Sequence, residues 1–197
     1  AGLYKYMFDE DLTSLYPSII MSLNIGKETF QGRIIDSDDR NNRLGLNDLK
    51  LKDPKSKILM ENNKGIQTNV ELGRLIEVIE DGNYSISANG CIFDTKKEST
   101  LSTVLNKWFD ERVDYKNKMK LAYKNGDKVK GEYYYLMQYT MKILLNSLYG
   151  ATALGSFRYG NVILSEAITL SGQRIIQESA LCANNHMNKV IKNEIKL

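Results

Sequence analysis

Asp11-Leu12-Thr13-Ser14-Leu15-Tyr16-Pro17-Ser18-Ile19-Ile20 is the stretch on which the reading of the whole chain turns. The residues before it, Leu3-Tyr4-Lys5-Tyr6-Met7-Phe8, are rich in aromatics and predict a strand. Pro17 fits a first helical position, where its missing N–H costs nothing. Ile19, Ile20 and Leu23 continue at helical spacing towards a stop at Gly26. Asp11 is therefore expected where a strand gives way to a helix, followed by the free backbone N–H groups of Ser14, Leu15 and Tyr16. A carboxylate for a divalent cation beside amides for phosphate outlines a nucleotide site. The same residues also fit an ordinary capped helix start, in which Asp11 and Ser14 satisfy only the backbone. This stretch alone leaves both open.

The chain has 197 residues, of which 42% are hydrophobic and 26% charged, enough for a proper core in one large domain or two small ones. A net charge of +3 is too mild to identify a nucleic-acid partner. Its distribution is more informative: residues 107–142 hold nine Lys/Arg and five Asp/Glu, a local excess of +4. Cys91 and Cys182 are far apart and His186 is alone, which argues against zinc sites and histidine triads and fits a reduced, intracellular setting. No signal peptide or membrane span is evident. The chain starts with Ala, as expected for a piece of a longer protein.

Residues 36–57 form a polar run read as a solvated loop. Thr68 or Asn69 is expected to cap a helix over 70–80 that ends at Gly82. Residues 84–87 and 91–93 flank Asn89-Gly90 and predict a β-hairpin. From Leu101 the pattern is helical; Asn125-Gly126-Asp127 breaks it, and a second helix is expected over 129–149, stopped by Gly150, making an antiparallel helical hairpin. Phe157, Arg158 and Tyr159 are expected to be extended. A last helix is expected over 165–192, with Ile168, Ile175, Ile176, Met187, Val190 and Ile191 as core.

The second decisive stretch is Lys142-Ile143-Leu144-Leu145-Asn146-Ser147-Leu148-Tyr149-Gly150. On a helix Lys142, Asn146 and Tyr149-Gly150 share a face, an ammonium, an amide, a ring and then bare backbone, suited to the phosphate, sugar and base of a nucleotide. Ile143, Leu144, Leu145 and Leu148 are expected in the core. Arg112 and Lys116, also i and i+4, share a face on the partner helix, so a closed hairpin would gather Arg112, Lys116 and Lys142 around one polyphosphate. A pair such as Arg112/Lys116 is, taken alone, more often a solvated helix face.

The two stretches together resemble motifs A and B of family B (alpha-like) DNA polymerases, in the right order, with fingers-like helices between them. The resemblance is to the T-even phage replicative group in particular. Asn83-Tyr84-Ser85-Ile86-Ser87-Ala88-Asn89-Gly90 resembles the hairpin before the fingers. Phe157-Arg158-Tyr159 and Ala167-Ile168-Thr169…Gly172-Gln173 resemble the segment after motif B.

The resemblance implies an α+β fold, with an antiparallel palm sheet backed by helices and a helical-hairpin fingers subdomain. Residues 1–98 would be the first part of the palm, 99–150 the fingers and 151–197 the second part of the palm. It implies template-directed transfer of deoxynucleotides to a primer 3′ end, with two Mg²⁺ ions, dNTP and primer-template DNA as cofactors and substrates. Asp11 and the Leu12 carbonyl would hold metal. Ser14, Leu15 and Tyr16 would donate backbone N–H groups to phosphates, with Tyr16 as the ring that excludes a ribose 2′-hydroxyl. Arg112, Lys116, Lys142 and Asn146 would bind the triphosphate, Lys142 and Asp11 being catalytic. Tyr149 and Gly150 would flank the nascent base pair. The expected partners are the remainder of the polymerase (exonuclease domain, motif C and thumb) and a sliding clamp bound through other regions; the expected setting is the cytoplasm, the host's if the chain is phage-encoded.

Two features depart from the family pattern. Asp9-Glu10 makes the approach to Asp11 more acidic than the usual apolar strand; on a strand Asp9 would share a side with Asp11. Motif C, a Tyr-Gly-Asp-Thr-Asp-Ser-like hairpin carrying the second metal-binding aspartate, does not occur in the 197 residues. The isolated chain is accordingly expected to be inactive. It is read as a palm-and-fingers segment, with a subunit of a split polymerase and a non-catalytic nucleic-acid-binding module as alternatives.

Overall fold

The computed structural model describes residues 11–35 and 46–194. The strand expected over 3–8, Asp9, Glu10 and the 36–45 part of the polar run lie outside the described residues.

In chain order the elements are α1 (Leu15–Leu23), β1 (Phe30–Ile34), α2 (Leu46–Lys50), β2 (Lys57–Asn62), β3 (Gln67–Glu71), α3 (Leu72–Val78), β4 (Tyr84–Ile86), β5 (Cys91–Asp94), α4 (Thr100–Lys124), α5 (Lys128–Thr152) and α6 (Val162–Glu194). The five strands make one antiparallel sheet in the order β3-β2-β1-β5-β4. The fold is α+β, as the sequence predicts, and the hairpin expected around Asn89-Gly90 is β4–β5.

Turn chemistry explains the best-anticipated part. Ser99 Oγ accepts from Ser102 N–H at 3.0 Å and caps α4. The Asp127 carboxylate accepts from Lys130 N–H at 3.1 Å and caps α5. Between them Gly126 takes φ +77°, so the chain reverses in three residues and the two 25-residue helices pack antiparallel. Two apolar clusters carry the molecule. Ile19, Ile20, Phe93, Leu105, Leu145 and Ile168 join α1, the sheet and the long helices; Ile34, Leu49, Ile58, Leu72 and Ile92 lie between the sheet, α2 and α3.

Several expectations are corrected. Thr68 and Asn69 are strand residues in β3, not helix caps; α3 starts at Leu72, and a wide turn over Ile79–Asn83 follows it. β3 is almost wholly exposed, and only its backbone pairing with β2, from Lys57↔Glu71 to Glu61↔Gln67, makes it a strand. The polar run contains the short helix α2. Pro17 is the third residue of α1, still in the first turn where its lost donor is not needed, and α1 ends at Leu23 because Asn24 turns left-handed, before Gly26 is reached. Gly150 lies within α5, which runs on to Thr152, whose Oγ1 donates to Tyr149 O at 2.6 Å. Phe157, Arg158 and Tyr159 lie in a run of turns, not an extended segment.

The apolar expectations are corrected too. Of Ile143, Leu144, Leu145 and Leu148, Leu145 is buried at 1% exposure and Leu148 is half-buried, while Ile143 and Leu144 are exposed. On α6, Ile168 is core, but Ile175, Ile176 and Met187 are exposed.

Candidate functional site

The site is built where the first turn of α1 meets the helical hairpin. Ser14 takes φ 54°, a left-handed conformation uncommon outside glycine. No side chain caps the turn. The first-turn N–H groups at Leu15 and Tyr16 have no partner inside the helix and are available to an anion. Asp11 precedes the turn as an exposed residue in irregular chain, and Leu12 is half-buried.

Across from the turn, Arg112 on α4 is 9% exposed, and its Nη1 donates to Ser14 Oγ at 3.1 Å. Its Nε is buried, with no hydrogen-bond partner among the described residues. A guanidinium held so deep by one neutral hydroxyl leaves most of its donor capacity unspent. Lys116 follows one turn along. Arg112 first, then partial burial, Lys120 and Lys142, push the Lys116 ammonium below the usual lysine range. The structure thus brings Arg112, Lys116 and Lys142 together, as their spacing on two helices predicts. No ion pair between any of the three and an acid occurs among the described residues. Lys120 belongs to the same cluster. Its i+4 spacing from Lys116 was legible, but a charged helix face gives no sign of which cations converge.

Tyr16 stacks on Tyr149, with ring centroids 4.4 Å apart and planes at 28°. That pair joins the first turn of α1 to the same stripe of α5 that carries Lys142 and Asn146. Asn146 and Gly150 are exposed, and nothing lies within 4 Å of where a Cβ on Gly150 would stand. Gly172, on α6, meets the Tyr16 ring from another side; nothing in its local sequence announces that contact.

Behind the turn is a mainly apolar cavity of about 460 Å³ lined by Leu12, Leu15, Ile19, Ile86, Ile175 and Arg174. Arg174, its one charged lining residue, is tied to Asp48, so this cavity offers no phosphate site. Among the described residues no group of three His, Cys, Asp or Glu side chains could hold a metal ion, and no helix is long and apolar enough to cross a membrane.

A cluster of cations on the helical hairpin thus stands across from the bare N-terminus of α1, and a sheet carries both. The chain belongs to DNA polymerase family B, whose model matches residues 3–197. It is similar to a DNA-directed DNA polymerase of Escherichia phage RB69, with 29% identity over 239 aligned residues, covering 97% of this chain and 23% of that protein. To the DNA-directed DNA polymerase of Enterobacteria phage T4 it is 27% identical, over 94% of this chain and 23% of the relative. A DNA polymerase of Orf virus (strain NZ2) is 25% identical over 87% of this chain. The family B DNA polymerase of the hyperthermophilic archaeon Pyrobaculum calidifontis shares the fold, with a TM-score of 0.54 at 15% identity over 89% of this chain and 17% of that one. The chain thus spans 23% of the length of the two phage relatives it matches.

Proposed function

We propose that this chain is the nucleotide-binding segment of a DNA-directed DNA polymerase that extends a primer 3′ end along a DNA template. The observation that carries the reading is the Arg112–Ser14 contact: a buried guanidinium with an unpartnered Nε, facing a helix N-terminus. Together they make a receptor for a triphosphate. In this reading residues 1–98 and 151–197 are palm and 99–150 fingers. The N–H groups of Ser14, Leu15 and Tyr16 receive phosphate oxygens. Arg112 grips them in a fork, Lys116 and Lys142 act as point charges, and Asn146 orients the tail. The Tyr16 ring lies under the deoxyribose and leaves no room for a 2′-hydroxyl. Tyr149 and the bare Gly150 backbone flank the new base pair.

Asp11 and the Leu12 carbonyl are the groups suited to Mg²⁺, which favours one or two carboxylates with substrate phosphates and water. In this reading they are a partial set that the motif C carboxylate completes. Bound Mg²⁺ supplies charge neutralisation at the attacking and leaving oxygens. The chain's own residues position the triphosphate and neutralise its charge, which is most of what phosphoryl transfer asks of a protein. Primer-template DNA, the exonuclease domain, motif C and thumb of the complete polymerase, and a sliding clamp bound elsewhere are the partners this reading requires; its setting is the cytoplasm of the host.

Titration of the chain with a dNTP, with and without Mg²⁺, tests the proposal. Binding that strengthens with Mg²⁺ and weakens roughly ten- to hundredfold in Arg112→Ala or Lys142→Ala is expected, the loss of one charge-assisted contact. DNA binding without any Mg²⁺-dependent dNTP binding would instead make the chain a non-catalytic nucleic-acid-binding module.

A further inference from the structure

We infer that Gly172 is a positioning residue for the Tyr16 ring, and through it sets the sugar selectivity of the site; the inference rests on the reading of Tyr16 as the residue that excludes a 2′-hydroxyl. Gly172 is buried in the interior of the 33-residue helix α6, where alanine would be the better helix former. Its neighbours give the reason for glycine. A Cβ there would stand 3.1 Å from Tyr16 Cε1, 3.4 Å from Ile19 Cδ1 and 3.5 Å from Leu15 Cδ2. All three belong to the first two turns of α1, so the bare Cα lets α6 come close enough to touch the ring.

Tyr16 is confined on two sides. Tyr149 stacks on it at 4.4 Å, and Gly172 meets its Cε1 edge. Tyr16 is still 37% exposed, so among the described residues it has an open side towards which it can give. A methyl group on residue 172 would drive the ring by a few tenths of an ångström towards the space assigned to the sugar. The height of the ring is therefore set jointly by α5 and α6, with Gly172 as the stop on the α6 side. This differs from simple helix packing: a packing glycine would act on stability whatever stood at position 16, whereas a positioning glycine acts only through the ring.

The test is a double-mutant cycle in the complete polymerase carrying this chain, with Gly172→Ala, Tyr16→Ala and both together, and Gly155→Ala as the control, since nothing lies within 4 Å of a Cβ there. Primer extension is measured with deoxy- and ribonucleotides. Gly172→Ala is expected to lower kcat/KM for deoxynucleotides roughly three- to tenfold, carried by KM, and to reject ribonucleotides more strongly, because a shift of a few tenths of an ångström is a fraction of one costing about a hundredfold per ångström. Tyr16→Ala is expected to admit ribonucleotides, and adding Gly172→Ala to it should change neither substrate's KM by more than about twofold, the ring being gone.

An unchanged KM in Gly172→Ala, or an equal effect with and without the ring, would overturn the positioning role. Ribonucleotide rejection that survives Tyr16→Ala would overturn the reading of Tyr16 itself, and the inference with it. Should Gly172→Ala not fold, thermal melts decide: recovery of folding in the double variant keeps the ring contact as the cause, and failure in both overturns it.

Discussion

Arg112 is buried and Arg174 half-buried, and the two are treated in opposite ways. The Arg174 guanidinium is saturated with charge: Nη1 and Nη2 donate to the Asp48 carboxylate at 2.7 and 3.1 Å, and Nε donates to Glu178 at 2.5 Å. These carboxylates raise its pKa further above the arginine range. It ties α6 to α2 and is explained by the fold. Among the described residues Arg112 has one hydrogen-bond partner, a neutral hydroxyl, and a buried Nε with none; the cation it acts on most strongly, Lys116, carries the same charge. Folding alone gains little from such a residue, because a buried charge without a counter-charge costs free energy. The difference separates a cation that the fold itself explains from one that it does not.

The largest expected effect breaks the pair apart. Arg112→Ala or Lys142→Ala should lower kcat/KM for nucleotide incorporation about ten- to hundredfold, a contact worth roughly 1.5–3 kcal/mol, in steady-state primer extension. The melting temperature of Arg112→Met should be equal to or above that of the parent, since an apolar side chain of similar length removes the unpartnered Nε. Arg174→Ala should do the reverse. It frees a partly buried carboxylate and costs about 1–2 kcal/mol of stability, lowering the melting temperature by roughly 2–8 °C, with dNTP affinity changed less than about twofold. If both arginines behave alike, the distinction between them is wrong.

A pH series sharpens the same comparison. Lys116 has a lowered pKa in the fold, so between that value and the value of an unfolded lysine the unfolded chain binds more protons. Stability must therefore rise with pH across that window, as the repulsion from Arg112, Lys120 and Lys142 is relieved. Denaturant midpoints in alkaline buffers should show this slope, and saturating inorganic tripolyphosphate should flatten or invert it, because an anion between the cations makes the protonated lysine favourable. The smallest effect is chemical. Burial pushes the Cys91 thiol up to about 12, while Cys182 is exposed. A thiol-alkylating reagent at neutral pH should label Cys182 in the native chain and reach Cys91 only after unfolding.

Much of the fold could be read locally. Ser99, Asn125-Gly126-Asp127 and Asn89-Gly90 are turn and cap signals contained in a few residues, and α4, α5 and the β4–β5 hairpin begin and end close to where they direct. The cation stripes were legible as well, because i, i+4 spacing is a property of any helix. Other parts left no local trace. Gln-Thr-Asn-Val-Glu of β3 lacks the alternation of a strand and becomes one by pairing with β2; the five residues of β1 are too short a pattern to stand out, and pairing with β2 and β5 makes them the centre of the sheet. The exposed Ile175, Ile176 and Met187 match a helical core pattern, yet Ile175 lines an open cavity and Ile176 and Met187 stay at the surface, which spacing along one helix cannot tell.

The sequence by itself determined the chemistry that can occur: two motifs, their order, the family they belong to, and a helical hairpin with cations at fixed spacing. Each is encoded within a single turn or helix, where neighbours in the chain are neighbours in space. Tertiary structure decided which of those groups meet. Ser14 in its left-handed turn and Arg112 are separated by 98 residues; Tyr16 stacks on Tyr149, and Gly172 on a third helix touches the same ring. Packing of the helices on the sheet creates these contacts, and a local pattern cannot encode them, because each depends on where two distant segments come to rest.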